Sequence, residues 1–143
     1  MKIHVYNSQK DLPVSKQSVR ALVKEVLKLE RSNHIEASVY FVPVKEICEL
    51  HDQFFNDPKQ TDCISFPLDE QHLGEIFVCA KTAVEYANKR NLPPYEELSL
   101  YVIHGILHCL GFDDLEPSEK RIMRKKEKRC MSFIKTQDLL ITP

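Results

Sequence analysis

The stretch His104-Gly105-Ile106-Leu107-His108-Cys109-Leu110-Gly111-Phe112-Asp113-Asp114 decides how this chain folds around its chemistry. Two histidines at positions i and i+4 project from one face of a helix, close enough to share a single metal ion. A carboxylate six residues beyond His108 cannot join them on a continuous helix. It would stand roughly 80° round from His104 and about 9 Å further along the axis than His108. Gly111 resolves the conflict, because glycine can take a positive φ and let the chain double back. The spacing HxxxHxxGxxD therefore predicts a helix that breaks at residue 111, with His104, His108 and Asp114 converging as metal ligands. Three protein ligands leave a fourth position for water, the arrangement of a catalytic rather than a structural zinc. Zinc-bound water has a pKa of about 7, which supplies a nucleophile at neutral pH.

Working outward, the metal-binding stretch ends a strongly apolar helix over about residues 95–110, with Glu96 and Glu97 in its first turn where the helix dipole favours them. A charged helix follows over about residues 117–134. Upstream, residues 2–6 alternate as a strand, and Val19, Leu22, Val23, Val26 and Leu27 give an amphipathic helix over about 15–29. Residues 35–42 read as a second strand, with Ile35, Ala37, Val39 and Phe41 on one face. Pro43 opens a short helix that ends near Asn56-Asp57-Pro58. Residues 62–66 and 74–79 form an antiparallel pair, and a moderate helix covers 81–90. The order β-α-β-α-β-β-α-α-α predicts an α+β fold. Its four-stranded mixed sheet packs with about five helices, and the metal site lies at the end of a buried helix. The expected organisation is one domain spanning residues 1–143.

Composition narrows the function classes. The chain is 43% hydrophobic and 29% charged, ordinary for a globular protein able to enclose a core without disulfides. No apolar run reaches the roughly 18 residues that span a membrane, and the first residues lack a signal-peptide pattern, so the expected location is the cytoplasm. The five cysteines are spread singly, with no CxxC pair, which argues against a disulfide framework and a cysteine-rich zinc site. A formal net charge of −1 excludes whole-molecule attraction to a polyanion. Any such attraction needs a local patch. The last helix offers one in Lys120, Arg124 and Lys128, among other cations, although such a run reads more readily as a solvated helix face.

Zinc peptidases with the HExxH pattern use the glutamate after the first histidine as general base. This chain has Gly105 there, which disfavours peptide hydrolysis.

Three blocks carry a family resemblance. HGILHCLGFDD resembles the HGxLHLxGYDH signature of the YbeY family of bacterial rRNA-maturation endoribonucleases, Thr61–Pro67 (TDCISFP) resembles its TDVLSFP, and Leu73-Gly74-Glu75-Ile76 resembles its LGDI. The blocks occur in order, over about residues 50–123. The resemblance implies a metal-dependent, single-strand-specific endoribonuclease. Its role would be rRNA processing (16S 3′ end maturation) and ribosome quality control, with Zn2+ as cofactor and precursor rRNA and the small subunit as partners. It implies a cleft lined by Thr61, Ser65 and the 67–73 loop. Asp113 falls on the family's aspartate before the last ligand, as a catalytic residue or as a turn residue. The chain departs from the family at Asp114, where the family has histidine, and at Phe55, where it has arginine. A carboxylate remains an accepted zinc ligand, and its added negative charge weakens acidification of bound water. Phe55 cannot contact phosphate by charge. A non-catalytic ribosome-assembly factor with a structural metal is the rival expectation.

Overall fold

Four short alternating segments and five helices account for almost the whole chain in the computed structural model, which describes residues 1–143. In order they are β1 (Lys2–Asn7), α1 (Lys16–Leu29), β2 (Glu36–Phe41), α2 (Val44–Phe55), β3 (Cys63–Pro67), β4 (His72–Val78), α3 (Ala80–Arg90), α4 (Pro94–Cys109) and α5 (Pro117–Thr136). The expected α+β architecture with a four-stranded mixed sheet and five helices is what forms. The sheet order is β1-β2-β4-β3. β1 runs parallel to β2, β2 parallel to β4, and β3 antiparallel to β4, which leaves β3 as an edge strand.

Local chemistry sets the element ends. Ser15 caps α1, its hydroxyl accepting from the Ser18 amide at 3.2 Å. Asn56 and Asn91 close α2 and α3 in the left-handed conformation that asparagine tolerates. Glu116 and Glu119 form a reciprocal capping box at the start of α5.

Most boundaries shift by a residue or two from the sequence reading, and two of the shifts have a visible cause. Ile35, expected on the buried face of β2, stands just outside the strand and is 56% exposed, its amide donating to the Gln71 carbonyl. β4 begins at His72 rather than 74, because His72 takes register opposite Glu36 across a local irregularity in the β2–β4 pairing.

The alternating residues Val5, Ala37, Val39, Phe41, Leu73, Ile76 and Val78 turn one face of the sheet toward α1 and α4. On α4, Val102, Ile103, Ile106 and Leu107 are all fully buried, as the absence of a polar stripe on that helix requires. α3 and α5 flank α4 and complete its enclosure. α2 covers part of the opposite face, packing Ile47 against Val42 and Ile64. The sheet is thus sandwiched at its β3 side, and the C-terminal end of α4 emerges there beside the free edge. No helix is long and apolar enough to cross a membrane.

Candidate metal centre

The predicted helix break occurs where the glycine stands. α4 ends at Cys109, and Gly111 takes φ 101°. Its amide donates to the His108 carbonyl and the Phe112 amide to the Leu107 carbonyl, both at 3.0 Å. This pair of bonds is a Schellman motif, which satisfies the last carbonyls of the helix and reverses the chain. The reversal returns Asp114 to the two histidines.

His104 Nε2 and His108 Nε2 lie 2.9 Å apart, with the rings nearly perpendicular. Asp114 places one oxygen 3.5 Å from His104 Nε2 and the other 3.5 Å from His108 Nε2. Lone pairs aimed at one point repel unless a cation or a proton lies between them. Zinc–ligand bonds of about 2.0–2.1 Å in tetrahedral array separate their donor atoms by roughly 3.3 Å. The observed separations bracket that value, so the donor set fits a transition metal. The three side chains are 21%, 24% and 38% exposed, open enough for a ligand to reach them.

Glu127 completes the centre from α5. Its Oε2 lies 3.1 Å from His104 Nδ1. A carboxylate can only accept, so Nδ1 carries the proton and Nε2 is left free to ligate. Burial acts to lower the His104 pKa, but the Glu127 hydrogen bond and charge, with Asp62 and Asp114 beyond, carry it above its ordinary value. Sequence reasoning missed this residue, although a signal was present. Met123, Cys130 and Ile134 are the buried stripe of α5, and Glu127 is the carboxylate set into the same stripe.

Gly105 does more than withhold a general base. A β-carbon there would lie 2.5 Å from Ile76 Cγ2 and 3.3 Å from Cys63 Sγ. The position faces the sheet, so the glutamate of an HExxH peptidase would have to occupy the core. The peptidase alternative is disfavoured sterically as well as chemically.

Two grooves meet at the donors. One, of about 400 Å³, is lined by Thr61, Ser65 and Pro67 of the β3 region, His51 and Phe55 of α2, and His108, Asp113, Asp114 and Leu115. Asp113, Thr61 and Ser65 therefore stand where the sequence placed them, whereas Pro67 alone represents the 67–73 loop. The other groove brings Lys120 and Arg124 beside His104, Asp114 and Glu127. Lys128 lies further along α5, in a separate groove with Glu96 and Glu97. Lys126 and Arg129 are not free at all, since both pair with Glu30, whose side chain is 2% exposed. Glu75 accepts a 2.8 Å hydrogen bond from the Tyr40 hydroxyl on the sheet face away from α4, which removes it from the centre.

The profile of the family described as Endoribonuclease YbeY matches residues 4–135. A protein of Protochlamydia amoebophila with that name is 46% identical over 145 residues, covering 97% of each chain. Its namesake in Chlamydia pneumoniae is 37% identical, covering 99% of this chain and 96% of the relative. The solution structure of TM1509 from Thermotoga maritima superposes with a TM-score of 0.65 at 31% identity, over 90% of this chain and 86% of that one. A likeness that runs from the first strand into the last helix, well beyond the metal-binding stretch, places this chain in the Endoribonuclease YbeY family.

Proposed function

We propose that the protein is a metal-dependent endoribonuclease acting on single-stranded RNA in ribosomal RNA maturation, including the 16S 3′ end, and in ribosome quality control. One domain, residues 1–143, carries the activity. Zinc is the metal, held by His104, His108 and Asp114, and precursor rRNA on or near the small subunit is the partner. The setting is the cytoplasm, in keeping with five cysteines that are all free thiols.

The observation that carries this reading is the convergence of three donors at the junction of two open grooves, one of them bearing unpaired cations. Zinc bound there supplies Lewis acidity toward a phosphate oxygen and lowers the pKa of water. The chain's own residues do the remainder. Glu127 holds His104 in its ligating tautomer. Lys120 and Arg124 hold phosphates approaching along α5. Asp113, on the groove wall beside His108, accepts the proton that hydrolysis releases. Thr61 and Ser65 offer hydroxyls to the strand. The charge of Asp114 weakens the acidification of water relative to a third histidine, which moves the active range upward in pH.

The test is cleavage of an end-labelled rRNA-precursor fragment, beside a His104→Ala control prepared identically. Cleavage by wild type alone, abolished by chelation and restored by zinc, is the expected result. Equal cleavage by both proteins, or by neither, would leave a non-catalytic assembly factor as the better reading.

A further inference from the structure

Phe55 and Leu115 are 59% and 81% exposed, and both line the groove that contains His108 and Asp114. They reach it from opposite sides of β3, Phe55 at the end of α2 and Leu115 just after the α4 turn. Folding gains nothing by leaving such side chains in water, and exposed apolar surface beside a polar site marks a place of contact. The Phe55 ring is backed by the His51 ring, with centroids 4.8 Å apart and planes tilted by 37°. His51 is itself held, its Nδ1 donating to the Asp57 carbonyl at 2.6 Å. The aromatic wall is therefore set before any ligand arrives. Thr61 and Ser65 line the same groove, and its volume of about 400 Å³ falls within the range of clefts that enclose a small molecule.

The geometry points to a nucleobase clamp: Phe55 and Leu115 hold one unpaired base of the RNA strand, next to the phosphate that faces His104, His108 and Asp114. This rests on the ribonuclease reading above and adds to it the residues that select an unpaired substrate. The occupant must present a flat apolar face, hydrogen-bonding edges for Thr61 and Ser65, and an anionic backbone for the metal end of the groove. A nucleotide carries all three. A base inside a duplex has both faces covered and cannot enter, so the clamp admits single strands.

The test uses zinc-loaded protein and a short, fluorescently labelled single-stranded RNA with methylated 2′-hydroxyls to slow cleavage. Affinity is read by anisotropy. Loss of one stacked base weakens binding roughly 5- to 150-fold, so Phe55→Ala falls by that factor and Phe55→Trp retains the wild-type affinity. Phe54→Ala binds as wild type does, because the Phe54 ring rests on Phe66 instead of lining the groove. A strand made abasic throughout binds wild type more weakly than the intact strand does, and that difference largely disappears in Phe55→Ala. If wild type binds RNA but ignores both Phe55→Ala and base removal, the clamp is overturned while the ribonuclease reading stands. The groove then belongs to another occupant, such as an extended peptide pairing with the free edge of β3. If wild type neither binds nor cleaves RNA, both readings fall together.

Discussion

Glu127 and His104, 23 residues apart, meet at 3.1 Å where α5 crosses α4. This contact decides which imidazole nitrogen is available to a metal, so Glu127 is a positioning residue for the centre. Losing such a partner typically reduces metal affinity 10- to 100-fold. Glu127→Gln can place either its amide nitrogen or its oxygen toward Nδ1, and so blurs the tautomer preference. A loss of zinc affinity of about that size is expected by competition titration, with the circular dichroism spectrum unchanged. An unaltered affinity would show that Glu127 merely packs.

The elevated pKa of His104 has a defined sign. A group whose folded pKa lies above its unfolded value stabilises the folded state when protonated. That contribution is present below the ordinary value of 6.5 and is lost as pH rises through the folded value. Zinc requires the neutral ring, so it competes with the same proton. The rise in Tm produced by zinc should therefore be small on the acid side of this window and grow as pH increases through it. Melting curves with and without zinc across neutrality provide the check, and an increment independent of pH would contradict it.

Gly105→Ala should destabilise the protein without touching a metal donor. The added β-carbon would meet Ile76 Cγ2 at 2.5 Å, and overpacking of this kind costs about 1–3 kcal/mol. Urea titration should show a lower midpoint with an unchanged slope. A smaller loss from Gly105→Ala in an Ile76→Ala background, where Cγ2 is absent, would identify the clash as the cause.

The cations of α5 should divide into two classes. Lys120→Ala and Arg124→Ala should each weaken RNA binding and lower the slope of log K against log salt by roughly 1, because each releases about one counterion on binding. Lys126→Ala should instead reduce stability, since Glu30 is nearly buried and would keep only the longer contact from Arg129 at 3.4 Å. Denaturation and salt-dependent binding, measured on the same three variants, separate the classes. A normal salt slope in Lys120→Ala and Arg124→Ala would take the RNA path away from this groove.

Much of the architecture was legible because it is local. The α4 helix, its stop at Gly111 and the return of Asp114 lie in one continuous segment, and period and turn chemistry act over that range. What escaped depends on how distant segments pack. No local rule brings Glu127 to His104, or sets Lys120 and Arg124 beside the centre while Lys126 and Arg129 turn to Glu30. Nor does any local rule put His51 and Phe55 into one groove with His108, Asp113 and Asp114, which lie more than 50 positions further on. Ile35 fitted the alternation of β2 yet fell outside it, because periodicity fixes faces and leaves strand ends to pairing.

All three donors come from residues 104–114, on one helix and the turn that ends it. Contacts between near neighbours in sequence close early and at little entropic cost. The donor triad is therefore set by contacts local in sequence, whereas Glu127, which orients His104, is supplied by the packing of α5 across α4. With the three donor side chains 21%, 24% and 38% exposed at the junction of two grooves, an ion has a path to them that does not require the buried core to open.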